Sequence, residues 1–224
     1  MKRLNLIMVL LCGSFLMFIS SCSENPIGID DHKGLWPLDL GNEWIYEIIY
    51  PEWYNYDIIM KINKKSNLNI NSENYSVSER IYYASVDPVP SHKSIYWTGP
   101  GGVYKMGGVS PNDTLKMKNL FLKYPAEIGE TWEVPSLSYS QSDEEFYIKD
   151  TLTYMLVEKN VDFETPAGVF RCYVYEYTRK LEGSATPWVF KFYYAPGIGL
   201  IGNVTTNIYG NLKEKLLLKS YSVN

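Results

Sequence analysis

Between Tyr56 and Lys64, Ile58, Met60 and Ile62 alternate with Asp57, Ile59 and Lys61. A period of two marks a half-buried strand. Runs rich in β-branched and aromatic residues, bounded by Gly, Pro, Asn and Asp, recur along the chain. They predict strands at Glu43–Tyr50, Tyr56–Lys64, Asn74–Ala84, Lys93–Trp97, Val103–Met106, Thr114–Lys118, Glu130–Val134, Phe146–Glu158, Val169–Lys180, Trp188–Ala195, Leu200–Asn207 and Leu212–Tyr221. In 170–178, Phe170, Cys172, Val174 and Glu176 share one face, and Arg171, Tyr173, Tyr175 and Tyr177 share the other. Neither face is plainly polar, so this strand is expected to lie centrally. No window of twelve residues carries a period of 3.6. Leu212–Leu218 comes nearest, but Leu216-Leu217-Leu218 followed by Ser-Tyr-Ser-Val suits a final strand. The pattern predicts an all-β chain.

Two stretches match class for class. Trp36-Pro37-Leu38-Asp39-Leu40-Gly41-Asn42-Glu43-Trp44 reads aromatic, Pro, apolar, acid, apolar, Gly, polar, polar, Trp. Tyr124-Pro125-Ala126-Glu127-Ile128-Gly129-Glu130-Thr131-Trp132 reads the same, 88 positions later. A second correspondence joins Ile95-Tyr96-Trp97 and the corner at Pro100-Gly101 to Phe192-Tyr193-Tyr194 and the corner at Pro196-Gly197. Pro fixes φ at the second position of a type II turn and Gly supplies the positive φ of the third. These marks predict two duplicated halves, 36–123 and 124–224. Pro37, Gly41, Trp44, Pro125, Gly129, Trp132, Pro100, Gly101, Pro196 and Gly197 are expected to set corners, because they fix geometry and offer no reactive group.

The N-terminus has a different character. Lys2 and Arg3 precede a run from Leu4 to Ile19 that is apolar apart from Asn5, Gly13 and Ser14. This is shorter than the roughly 20 residues that cross a bilayer. With small Ser20 and Ser21 it fits a cleaved secretory signal over residues 1–21. Phe18-Ile19-Ser20-Ser21-Cys22 resembles the lipobox of bacterial lipoproteins, which implies acylation of Cys22 and a membrane anchor. Residues 22–34 are polar with Pro26 and two glycines. They read as a tether, with a root-mean-square span of roughly 15 to 20 Å for a soft linker. The β-rich domain is expected over 35–224. Ser23 after the cysteine resembles the sorting rule that passes lipoproteins to the outer membrane. Ser23-Glu24-Asn25 resembles the short acidic tag of surface lipoproteins. Periplasm-facing and cell-surface placements both stay open.

Composition removes several classes. Net charge is −4 and no basic patch stands out, which argues against a nucleic-acid partner. Cys12 lies in the signal, so Cys172 is the one thiol besides Cys22 and no disulfide between free thiols is expected. The 20 Tyr, 8 Phe and 6 Trp must supply the core, with Tyr hydroxyls reaching water from a pleated surface. His32 falls in the tether and His92 in a Pro-flanked loop, with no spacing for a metal. No cofactor motif is present. Asp143-Glu144-Glu145 is the densest acidic group and reads as a hairpin tip. Asp87, Asp113 and Asp150 are placed near turns. A glycosidase would need two of these carboxylates about 5 to 9.5 Å apart.

Leu-Trp-Pro-Leu-Asp-Leu-Gly-Asn-Glu-Trp from Leu35, Thr165-Pro166-Ala167-Gly168-Val169-Phe170, and Tyr193-Tyr194-Ala195-Pro196-Gly197-Ile198-Gly199-Leu200 resemble β-rich envelope lipoproteins of Bacteroidota and relatives. The resemblance implies a curved antiparallel sheet, or a barrel-like or sandwich domain, and brings no catalytic residues with it. The chain is therefore expected to be a lipid-anchored binding or assembly module of the outer envelope, facing a protein, glycan or apolar ligand. A glycan binder would present coplanar exposed Tyr or Trp on one sheet face. A carrier would enclose a concave apolar cavity, as ligand-holding barrels do.

Overall fold

The computed structural model describes residues 34–51, 55–84, 93–109, 114–140 and 145–224, without the side chains of 82–84 and 139. Twelve strands follow one another: β1 (Glu43–Ile49), β2 (Tyr56–Ile70), β3 (Glu73–Ala84), β4 (Lys93–Gly99), β5 (Gly102–Val109), β6 (Thr114–Lys123), β7 (Thr131–Ser140), β8 (Glu145–Thr165), β9 (Gly168–Arg179), β10 (Trp188–Ala195), β11 (Gly199–Asn207) and β12 (Leu212–Ser222). All belong to one sheet, ordered β6-β5-β4-β3-β2-β1-β12-β11-β10-β9-β8-β7, and each pairs antiparallel with its neighbour. The sheet curls until β6 and β7 meet, giving a nearly closed barrel. Every predicted strand is present. β2 and β8 run further than expected, because their polar distal residues form outlying hairpins with β3 and β9.

The β6–β7 seam has no ladder. It is latched by the Trp132 indole N–H donating to the Phe121 carbonyl at 3.2 Å and by the Lys123–Glu130 ion pair. The Tyr175 hydroxyl adds a bond to the Lys123 carbonyl at 2.9 Å. Lys123 holds the Glu130 carboxyl below the ordinary carboxylate range. Pro135 sits in β7, where an edge strand tolerates its missing N–H.

The two long hairpins fold back over the outside of the barrel. Phe163 of β8 stacks on Tyr193 of β10 at 3.8 Å between centroids, Phe170 of β9 packs on Tyr221 of β12, and the Ala167 N–H bonds the Leu218 carbonyl. Gly202 makes room for Phe163, whose ring carbon lies 2.6 Å from where a Cβ would stand. Cys172 and Val174 are thus sealed on the outward face of β9, and Tyr175 on its inward face. This is why neither face of that stretch reads as polar. In the first half, Leu68, Ile70, Tyr75 and Val77 of β2–β3 pack with Ile95, Trp97, Tyr104 and Met106 of β4–β5.

The stretches matched in sequence open β1 and β7, and they bond alike. The Gly41 N–H donates to the Ile62 carbonyl, Asn42 to Asp39, and Ile62 back to Asn42, at 3.0, 3.2 and 3.0 Å. Gly129 donates to Leu156, Glu130 to Glu127, and Leu156 back to Glu130, at 2.8, 2.9 and 3.1 Å. Lys65 pairs with Asp39 and Lys159 with Glu127. One residue bulges from β2 between Ile62 and Lys64, and one from β8 between Leu156 and Glu158. Met106 and Ile201, both fully buried, are the extra residues where β4–β5 and β10–β11 change register.

Candidate functional site at the open end of the barrel

One end of the barrel is stoppered. The segment before β1 brings Trp36 inward against Trp44, Tyr96 and Tyr194, at 6.4, 5.2 and 5.9 Å between ring centroids. Buried tryptophan and tyrosine need partners for their polar tips. The Trp44 indole donates to the Ile198 carbonyl at 2.7 Å, and the Tyr46 hydroxyl to the Leu200 carbonyl at 2.8 Å. Gly199, at φ +103°, makes the stopper possible: a Cβ there would stand 2.5 Å from Cδ1 of Trp36. The Gly197 N–H bonds the Gly34 carbonyl, tying the incoming chain to this same end.

The glycines and prolines of the corners lie as follows. Gly41 and Gly129 hold φ of 88° and 85°, and Gly101 and Gly197 hold 82° and 77°. The Pro37 carbonyl accepts from the Asn42 amide. Pro196 and Gly197 are buried, while Pro100, Gly101 and Pro125 are exposed. Trp44 is fully buried and Trp132 half-buried.

Away from the stopper the interior opens. On β1, Trp44 and Tyr46 are buried, whereas Ile48, and Tyr50 just beyond the strand, are half-exposed. On β2, Ile62 and Met60 are buried and Ile58 and Tyr56 half-exposed. The same progression runs from Tyr175 to Tyr177 on β9, from Tyr194 to Phe192 and Phe190 on β10, and from Leu218 to Leu216 and Glu214 on β12. Inward positions of these five strands thus lose burial in the same direction along the barrel.

The wall formed by β8, β9 and β10 is aromatic and nearly parallel. Tyr177 stacks on Phe190 at 4.6 Å and 13°, and on Phe192 at 5.7 Å and 23°. Tyr154 lies 17° from the plane of Phe192. Phe121 of β6 joins this wall to Tyr96 of β4 through contacts of 6.0 and 5.7 Å. The β11–β12 wall is polar. The Asn203 amide donates to the Lys191 carbonyl, and the Thr205 hydroxyl lies 3.2 Å from Asn203 Oδ1 and 3.4 Å from Glu214 Oε1. Burial, with the nearby Tyr56 and Glu214, pushes the Tyr50 phenol well above its ordinary range.

The β3–β5 wall carries two cations. Arg80 is buried, its guanidinium 4.5 Å from the centroid of Tyr96 and 5.0 Å from that of Trp36. Arg80 pairs with Ser94 across β3–β4, and Lys105 with Tyr96 across β4–β5. Lys105 also lines a cavity of about 20 Å³ with Ser94, Gly107, Leu137, Ser138 and Phe146. Burial first, and the Arg80 charge second, pull Lys105 down to about 8. Neither cation stood out in the sequence. Strand parity is the signal that could have found them, because Arg80 sits two residues from Ser78, opposite Tyr96, on an inward row.

The outward aromatic cluster is not a flat platform. Trp97 is inclined 66° to Tyr75 and 40° to Tyr104, and the Lys118 ammonium already lies over all three rings at 4.7 to 5.7 Å. Asp150 does not sit at a turn. It lies within β8 opposite Ser136, where a register shift in β7–β8 begins, and it accepts from Arg179 at 3.0 Å. Glu145 opens β8 and is exposed. Cys22, the tether through His32, Asp87, His92, Asp113, Asp143 and Glu144 lie outside the described residues. No cluster of three metal-ligating side chains occurs among the described residues.

No protein-family model matches the chain, and a search of curated proteins finds no match. Among solved structures, the chain is similar to a protein taken to be a lipoprotein of Parabacteroides distasonis, with 13% identity and a TM-score of 0.54. The likeness covers 84% of this chain and 98% of that one. A second structure is of a protein taken to be exported, with a YmcC-like fold, from Bacteroides fragilis. It is 12% identical, with a TM-score of 0.46 and the same coverages. At such identity the first likeness establishes a shared fold and nothing finer.

Proposed function

We propose that this protein is an envelope lipoprotein, anchored at the outer membrane through Cys22, whose half-open barrel takes up an apolar ligand. The reading rests on one observation above the others. Inward side chains of β1, β2, β9, β10 and β12 go from sealed to half-exposed along the barrel, and the half-exposed stretch of β9–β10 is Tyr177, Phe190 and Phe192. Concave apolar surface with a few polar groups is the usual form of a small-molecule site. The lipobox-like stretch ending at Cys22 and the lipoprotein-like neighbour support the envelope assignment. A glycan platform is less well supported, because the outward rings are inclined and already hold Lys118.

The test uses N-phenyl-1-naphthylamine, a neutral dye that fluoresces in apolar surroundings. The purified protein should enhance its emission saturably. Phe190→Asp, which puts a charge on the half-exposed wall, should weaken the dye at least tenfold, since a carboxylate is costly to desolvate. Absence of enhancement, or an unchanged affinity in Phe190→Asp, would refute the apolar cavity.

A further inference from the structure

The two halves of the barrel carry the same backbone devices but line the interior with different chemistry. The register that opposes Ile62 to Arg80 in β2–β3 opposes Leu156 to Tyr175 in β8–β9. The register that opposes Tyr96 to Lys105 in β4–β5 opposes Tyr194 to Leu200 in β10–β11. Where the second half places a tyrosine and a leucine, the first places an arginine and a lysine. Cations on an inward row oppose burial; Arg80 lies over the Trp36 and Tyr96 rings of the stopper, whereas the second half seals the equivalent positions with Tyr175 and Leu200.

Lys105 makes no ion pair or hydrogen bond among the described residues. It stands instead near a second cation, Arg80, and beside a space of about 20 Å³, enough for roughly one water-sized group. Ser94 and Ser138 add hydroxyls to that space. From Tyr96 the ring contacts lead through Phe121 and Tyr154 to Tyr177, Phe192 and Phe190. One wall is cationic and the adjoining one is aromatic and apolar.

We infer that the barrel selects an anionic amphiphile, its carboxylate or phosphate head held by Lys105 and Arg80 and its acyl chain lying along Tyr154, Phe192, Tyr177 and Phe190. This rests on the apolar-cavity reading and narrows it to a ligand class. Charge-assisted hydrogen bonds in a partly desolvated site favour the anion over a neutral head of the same length.

Displacement of N-phenyl-1-naphthylamine from the purified protein separates the two readings. Decanoate, decanol and acetate are compared as competitors. Decanoate is expected to displace the dye about tenfold more tightly than decanol, as one charged hydrogen bond allows. Acetate should not compete in the same range. Lys105→Met keeps the aliphatic stem, and should lower decanoate to the level of decanol while leaving decanol unchanged. Unchanged decanol also reports that the variant is folded and its apolar wall intact. Decyl phosphate retaining the preference alongside decanoate would point to phospholipid-type heads, and decanoate alone to free fatty acids; both support the inference. Equal displacement by decanoate and decanol, or a preference surviving Lys105→Met, would overturn it and leave the apolar cavity standing. Failure of every competitor to displace the dye would overturn both.

Discussion

Lys105 and Cys172 are the residues whose burial has a direct chemical consequence. An unfolded lysine keeps its proton to about 10.5, whereas Lys105 in the fold keeps it only to about 8. Between those values the unfolded chain binds more protons, so stability rises with pH. Below about 8 both states are protonated, and the fold bears the cost of a half-buried charge. Above about 10 the direction reverses: burial raises Tyr154 and Tyr175, so unfolded tyrosines lose protons first. Urea midpoints should therefore climb from pH 7 to about 9.5 and fall beyond. Lys105→Met should flatten the climb and raise the midpoint at pH 7. A midpoint that is flat from pH 7 to 9.5 in the parent protein would contradict this placement of Lys105. Cys172 is fully buried, and burial pushes its thiol up to about 12. Thiolate is the reactive form, so this thiol should resist Ellman's reagent in native buffer and react on unfolding. Fast labelling of the folded protein would mean that the β8–β9 hairpin does not cover β10–β12.

At the scale of elements, the corners before β1 and β7 are the clearest repeats. Both their hydrogen bonds and the bulges of β2 and β8 coincide. Gly41 and Gly129 hold the same positive φ with open space around the missing Cβ, the nearest atom to Gly41 lying 3.9 Å away. Alanine at either should therefore cost only backbone strain, about 1 kcal/mol, and nearly the same at both. Gly199→Ala should cost more, because the Trp36 ring must also move. Thermal denaturation of the three variants measures this, and unequal losses at Gly41 and Gly129 would argue against equivalent corners. All twelve strands were legible in the sequence, because alternation and turn residues are local signals. The fold-back hairpins were not. Lys64–Asn69 reads as polar surface, and Leu68 and Ile70 acquire packing partners only once the β2 bulge reverses which face they present. Of the site itself little was legible: Gly41 and Trp44 stood out as corner residues, whereas the open half carried no local mark. Arg80 and Lys105 were lost among other charges because inward and outward rows are defined by pairing, not by the residue itself.

The whole molecule has a direction. Chain entry at Gly34, the Trp36 stopper and both Pro-Gly corners lie at one end. The aromatic wall faces the other, where Ile208 and Tyr209 after β11 are exposed at 52% and 73%. The β6–β7 seam is latched by side chains and not by a ladder. These features converge on one claim, that an amphiphile enters the open half and seats its head at Lys105 and Arg80, against the inner side of the stopper. Nuclear magnetic resonance spectra of the protein titrated with decanoate test that claim most directly. The account predicts saturable shifts at Ile58, Arg80, Lys105, Tyr154, Tyr177, Phe190 and Phe192, reaching Trp36 through its contact with Arg80, with Trp44 unmoved. Shifts confined to the outward cluster of Tyr75, Trp97 and Tyr104, or none at all, would contradict it.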